Sequence, residues 1–320
     1  MMEDVKLKME EGRCKMEDVK CLPAGQVREM ANFSNLLCNI SHLKTIFMLF
    51  AFLGQIFTGS AQIRVEKNIN YAGNTEVVNT LNIYHKKGDI QNQDVIIFVH
   101  GGSWSSGKKE TYWWLGRNLA KNNVVAAIIN YPLAPNATYK EMAAATGQAV
   151  KWVKDSIASY GGNANRIFIM GHSAGAHLAE LVNADPQYFA TAKINNPIKG
   201  VILNDPFGLD MEEYLTQADK DDYYTDFLRT FSSDVKNWQN GSPLFYVKDI
   251  KNPHLMFYGT KTYPAIQIQS ERMYKALQAQ NVPVKLEKIE GKKHVPMIAQ
   301  MIWGSNRLYK IIVAFLKETE

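Results

Sequence analysis

An alternation constrains this chain most. From residue 63 onward, short β-branched apolar runs recur, and stretches with helical spacing separate them. Residues 95–99 read VIIFV, and residues 124–130 carry a second run of the same kind. A continuous apolar run of this length fits a strand covered on both faces. Residues 167–170, 201–203, 255–258 and 284–289 continue the series, and 63–71 and 77–84 precede it. Helical spacing occupies 112–121, 139–158, 173–182, 273–280 and 308–317. The pattern predicts an α/β fold, a mostly parallel central sheet with helices on both faces. Ligands on such sheets bind beyond the carboxyl ends of the strands, so the residues following each strand are the ones to read for chemistry.

Residues 207–247 break the alternation. They are acidic across 219–222 and rich in aromatic residues, among them Tyr214, Tyr223, Tyr224, Phe227, Phe231 and Trp238. An insertion of this kind reads either as a lid over a site or as additional packing helices.

The first 61 residues stand apart. Residues 45–57, TIFMLFAFLGQIF, follow Lys44 and lead into Gly59, Ser60 and Ala61. A basic residue, an apolar run and a small-residue exit describe a secretory signal, with cleavage expected between Ala61 and Gln62. The competing readings are a core helix and a membrane anchor through 45–57, although the run is short for a mature span. MEDVK occurs at 2–6 and again at 16–20, and these residues fit neither signal nor fold, so Met30 reads as the better start. Residues 1–61 are thus expected to be leader and signal, 62–320 the folded domain, and the product exported, either periplasmic or secreted. Cys14, Cys21 and Cys38 all precede the boundary, which leaves the exported part without cysteine.

The net charge of +5 includes lysine pairs at 86–87, 108–109 and 292–293, which read as solvated surface. No basic run is dense enough for nucleic acid, which is excluded as a partner. No His/Cys/Asp cluster has metal-ligand spacing, so neither a metal nor another cofactor is expected.

Two strand ends carry chemistry. Gly171-His172-Ser173-Ala174-Gly175 follows one strand and opens a helix, the setting in which G-x-S-x-G presents a nucleophile. Small neighbours let the backbone bend sharply, and the helix N-terminus favours developing negative charge at Ser173. His100-Gly101-Gly102-Ser103-Trp104 follows the VIIFV run. Its glycines allow backbone N–H groups to face an open site, so Gly101, Gly102 and Ala174 are candidate oxyanion donors. Trp104, beside this turn, either lines the substrate pocket or packs.

A base is sought among seven histidines. His42 lies before the apolar run, His85 ends an early strand, and His100 belongs to the glycine turn as a structural hydrogen-bonder. The His172 side chain is expected to point away, His177 to pack along its helix, and His254 to start a strand at the wrong end of the sheet. His294 remains, in a polar loop past the last strand, where a base reaches Ser173. The order Ser before His also fits.

Together HGGSW, NYPLAP at 130–135, YGGNANRI at 160–167, GHSAGAHLA at 171–179 and the late His294 resemble the α/β-hydrolases. They are most similar to bacterial esterases related to hormone-sensitive lipase and to kynurenine-formamidase-like enzymes. The resemblance covers roughly residues 63–318. It implies an ester or amide hydrolase with a Ser-Asp/Glu-His triad and no cofactor. Pro132 stands where such proteins often carry arginine.

The acid departs from the family pattern. Those enzymes usually read G-x-x-D after the strand ending at Tyr258, whereas here Gly259 is followed by Thr260, Lys261 and Thr262. Threonine accepts a hydrogen bond but cannot stabilise an imidazolium by charge. Some lipases place their acid after the preceding strand, and Asp205 resembles that arrangement. Asp210 is the runner-up, Glu290 a further candidate, and a site without a charged acid the remaining alternative. The reading is therefore an exported serine hydrolase of carboxylic esters, acting through an acyl-enzyme on a small-molecule or acylated-carbohydrate substrate. Its alternatives are a weakly active or non-catalytic binding protein on a degenerate scaffold, and an amide or peptide hydrolase.

Overall fold

The computed structural model describes residues 62–73, 78–88 and 91–319. The chain divides after Gly59 into two units, and the fold described is that of Ser60–Glu320. The expected leader, signal and anchor all lie outside the described residues. Among the described residues, no helix is long and apolar enough to cross a membrane.

Eight strands form one sheet in the order β1-β2-β4-β3-β5-β6-β7-β8. They are β1 Ile63–Asn70, β2 Thr80–Lys86, β3 Gln93–Val99, β4 Val124–Ile129, β5 Gly162–His172, β6 Ile198–Asn204, β7 His254–Gly259 and β8 Val284–Ile289. β2 pairs antiparallel with both β1 and β4, and the remaining ladders are parallel.

The sheet separates two apolar cores, and the two-residue period of a strand decides which side chain enters which. Along β3, Val95, Ile97 and Val99 enter one core, and Ile96 and Phe98 enter the other. All five are fully buried, which explains why the run carries no polar alternation.

Helices α1 Trp113–Lys121, α2 Tyr139–Ser156, α3 Ala174–Ala184 and α4 Gln187–Thr191 connect the first six strands. α2 starts on a capping box in which Thr138 and Glu141 satisfy each other's end of the helix. α8 Pro264–Ala279 lies between β7 and β8. It starts nine residues earlier than its apolar spacing suggested, because Pro264 suits the first helical turn. Short α9 His294–Ala299 and α10 Arg307–Glu318 close the fold. Arg166 ties α10 to the sheet, pairing with Asp94 and donating to the carbonyls of Leu316 (2.6 Å) and Thr319 (2.8 Å).

Residues 207–247 form three short helices, α5 Met211–Gln217, α6 Asp222–Phe231 and α7 Val235–Asn240. Their inner side chains Phe227, Phe231 and Trp238 are buried in the main core, whereas Tyr223 is exposed. The insertion therefore packs on the sheet and, as described below, also walls a cavity.

Candidate active site

Parallel order brings the carboxyl ends of β3, β5, β6, β7 and β8 to one edge, and the candidate residues follow these strands. Ser173 lies between β5 and α3 with φ 57° and ψ −126°, a conformation that costs a non-glycine residue about 1–3 kcal/mol. The flanking glycines make the bend possible. A Cβ on Gly175 would lie 2.1 Å from the Val99 carbonyl oxygen, and one on Gly171 2.2 Å from that of Gly175. Only bare backbone fits. Ala174 is the first residue of α3, so its N–H has no partner within the helix.

His294 opens α9 and does not sit in a loop as its polar neighbours suggested. Its Nε2 is 2.7 Å from Ser173 Oγ, and its Nδ1 is 2.6 Å from Asp205 Oδ2. A carboxylate only accepts, so Nδ1 carries the hydrogen and Nε2 accepts from the serine hydroxyl. Asp205 is fully buried at the end of β6, with φ 52°. Its Oδ1 accepts from the Gly259 N–H at 2.9 Å, and Oδ2 also accepts from Thr262 Oγ1 at 2.5 Å. A buried carboxylate needs such donors, because burial of an unpartnered polar group is costly. The chain Asp205–His294–Ser173 is thus able to take a proton from the hydroxyl and return it.

Asp210 is elsewhere. It caps α5 through the Glu213 N–H at 2.9 Å and pairs with Arg272 at 3.1 Å. Thr262, at the position where related enzymes carry an acid, contacts the acid from β6. The carboxylate that meets His294 thus comes from the end of β6.

The glycine turn lies against the serine, since a Cβ on Gly101 would be 3.1 Å from Ser173 Cβ. Gly102 has φ 132°, which a side chain would oppose. His100 is structural, as expected: its Nδ1 donates to the Gly101 carbonyl at 2.9 Å, and its ring stacks on Tyr131 at 4.5 Å.

Trp104 does not line the pocket. With φ 58° it turns inward, fully buried among Phe207, Phe227, Phe231 and His177. Its Nε1 donates to His177 Nδ1 at 3.2 Å, and His177 Nε2 donates to the Gly241 carbonyl at 2.6 Å. His177 therefore joins the glycine turn to the insertion and does more than pack along its helix. Burial pushes its imidazole down to about 4.

His172 also departs from expectation. Its ring does not point away but stacks on His294, centroids 5.0 Å apart, and it is buried with Nδ1 lacking a partner among the described residues. Burial, reinforced by the neighbouring His294, pushes it down to about 3, so it is neutral under ordinary conditions. Nothing in the sequence marks this contact.

Above Ser173 and His294 lies a cavity of about 590 Å³. Phe207, Tyr214, Tyr223, Tyr224 and Phe227 of the insertion form one wall, with Glu213, Asp219 and Asp221 among them. Tyr263, Pro264 and Ile268 at the start of α8 form the other, and Ser103 reaches in from the glycine turn. Among the described residues, no group of His, Cys, Asp and Glu has the arrangement of a metal site.

The family model described as BD-FAE matches residues 81–277, more than half of the chain. A probable isoprenylcysteine alpha-carbonyl methylesterase of Oryza sativa subsp. japonica is 28% identical over 260 residues, covering 74% of this chain and 60% of that protein. The kynurenine formamidase of Danio rerio is 24% identical over 253 residues, covering 74% of this chain and 77% of that protein. The chain spans about 60% of the rice methylesterase and 59% of the isoprenylcysteine alpha-carbonyl methylesterase of Arabidopsis thaliana. Among solved structures, esterase B of Lactobacillus rhamnosis superposes with a TM-score of 0.68 at 19% identity, covering 87% of this chain and 95% of that one. A truncated carbohydrate esterase from gut microbiota gives 0.69 at 17% identity, covering 82% and 98%. At these identities the structures establish a shared α/β-hydrolase fold.

Proposed function

This chain belongs to the BD-FAE family, and we propose that it is a serine hydrolase of carboxylic esters that works through an acyl-enzyme. The observation that carries the reading is the continuous hydrogen-bonded chain from buried Asp205 through His294 to Ser173, opening on a cavity.

His294 Nε2 takes the hydroxyl proton as Ser173 Oγ attacks the ester carbonyl carbon, forming the C–O bond. The N–H groups of Gly101, Gly102 and Ala174 hold the resulting oxyanion, and one such donor is worth about 100–1000-fold in rate. The C–O bond to the alcohol breaks, and His294 returns its proton to the departing oxygen. Water, deprotonated by the same imidazole, releases the acid and restores Ser173. Asp205 keeps Nδ1 protonated and offsets the imidazolium charge at each stage.

The cavity supports a small acyl ester with an alcohol part up to the size of a sugar. Its aromatic faces suit the apolar face of a sugar ring, and Glu213, Asp219 and Asp221 suit hydroxyl donors. An acylated carbohydrate is therefore the proposed substrate class, with other small esters beside it. The carbohydrate esterase and the methylesterase among the similar proteins are consistent with ester chemistry. We further propose export, with residues 1–61 as the removed leader and signal; N-terminal sequencing of product released to the periplasm or medium is expected to begin at Gln62.

The test is a panel of acyl esters and acetylated sugars, run beside Ser173→Ala, together with labelling by a fluorophosphonate. Labelling at Ser173 and a loss of about a million-fold in the variant are expected. Failure to label Ser173 in the unsubstituted protein would leave a binding protein on a hydrolase scaffold.

A further inference from the structure

We propose that Thr262 is a positioning residue for the hydrolytic site, setting through Asp205 the orientation of His294. The proposal rests on the serine-hydrolase reading above. Its basis is that one carboxylate oxygen serves two donors. Asp205 Oδ2 accepts from His294 Nδ1 at 2.6 Å and from Thr262 Oγ1 at 2.5 Å, while Oδ1 takes the Gly259 N–H at 2.9 Å.

Thr262 is held for this task. Its N–H donates to the Gly259 carbonyl at 3.0 Å, and its own carbonyl accepts from Gln267 Nε2 at 3.1 Å, so the turn leaving β7 is closed around it. The side chain is buried, 7% exposed, and its hydroxyl has a carboxylate to meet instead of water. Asp205 in turn sits at positive φ beyond the last residue of β6, joined to β7 by its N–H to the Phe257 carbonyl at 2.7 Å and by the bond from the Gly259 N–H. The threonine thus ties the free end of the acid-bearing strand to the neighbouring turn.

The consequence follows from sharing. A carboxylate held by a second donor on the same oxygen has less freedom to turn away from the imidazole, so Thr262 fixes the acceptor that His294 Nδ1 meets. Asp205, His172 and Tyr263 are the titratable side chains facing the His294 ring. Only Asp205 is both charged and touched by Thr262.

The experiment measures the rate of fluorophosphonate labelling at Ser173 against pH, in the intact chain, for the unsubstituted protein, Thr262→Val, Thr262→Ser, Asp205→Asn and the double variant Asp205→Asn/Thr262→Val. Thr262→Val is expected to label about tenfold more slowly, the scale of losing one hydrogen bond to a charged group. Thr262→Ser should restore the rate, and Thr262→Val should add less than about twofold on top of Asp205→Asn, since coupled residues are not additive. Thermal melting checks that each variant is folded. A folded Thr262→Val with an unchanged labelling rate, a serine variant behaving like valine, or additive losses in the double variant would each overturn the proposal. An unlabelled Ser173 in the unsubstituted protein would instead remove the hydrolase reading on which it rests.

Discussion

The rings of His172 and His294 lie face to face, 5.0 Å apart and 25° from parallel, so the residue before the serine forms the back wall of the imidazole that faces it. His172 Nε2 also approaches the His294 carbonyl at 3.4 Å. The stack fixes the ring from the side that neither Asp205 nor Ser173 touches. Replacing His172 by alanine is expected to lower kcat by about 10–100-fold through loosened geometry, with the fold retained. Phenylalanine, which preserves a planar wall, is expected to keep most of the activity. Steady-state kinetics on both variants decide it, and equal losses would show that the stack is not what matters.

The two aspartates near the insertion differ sharply in partners. Asp205→Asn leaves the shape but replaces a charge beside His294, and a loss of about 10,000-fold in kcat is expected. Asp210→Asn touches only a helix cap and a partly exposed pair with Arg272. Its expected effect is on stability, about 1 kcal/mol or less, with activity nearly unchanged. Kinetics and denaturant melts of the pair test the assignment, and the reverse order of activities would refute it.

Gly175 has no space for a side chain, because its Cβ would meet the Val99 and His100 carbonyl oxygens at 2.1 and 2.4 Å. These belong to backbone, which cannot swing aside as a flexible side chain does. Gly175→Ala is expected to destabilise the fold by more than about 4 kcal/mol or to abolish soluble expression. A melting temperature close to that of the unsubstituted protein would contradict the closeness of the bend to β3.

Three buried histidines imply a pH-dependent fold. Burial lowers His100 to about 4, His172 to about 3 and His177 to about 4. In the unfolded chain a histidine titrates near about 6.5, so the unfolded state binds more protons below that pH. The stability these neutral rings contribute is therefore complete above about 6.5 and declines as pH falls toward their folded values. Calorimetric melting temperatures are expected to drop between about pH 6.5 and 4, and His177→Gln, which keeps a neutral side chain, to flatten that slope. A pH-independent melt across this window would disprove it.

Much of the site is readable along the chain. Ser173 is announced by five consecutive residues between a strand and a helix, and the glycine turn by two glycines after VIIFV. His294 follows the last strand, where parallel order sends it to the same edge. The apolar runs of β3, β4 and β7 reflect burial on both faces, a property each residue shows through its own type.

Other features have no such local mark. Trp104 stands beside the glycine turn, yet a positive φ sends it into the core, and no neighbour in sequence declares that. Whether His172 points away or stacks depends on the ψ of −126° at Ser173 and on where α9 begins.

The sequence by itself determined the alternating strands and helices, the serine bend, the glycine turn and the candidate base, because each is written in the period and chemistry of adjacent residues. The tertiary structure alone shows which of Asp205 and Asp210 meets His294, because that contact depends on the pairing of β6 with β7, where Asn204 sits opposite Phe257. That register carries Asp205 to Thr262 and His294, 57 and 89 residues along the chain. A contact over such a separation is set by strand order and close packing, which no local pattern encodes.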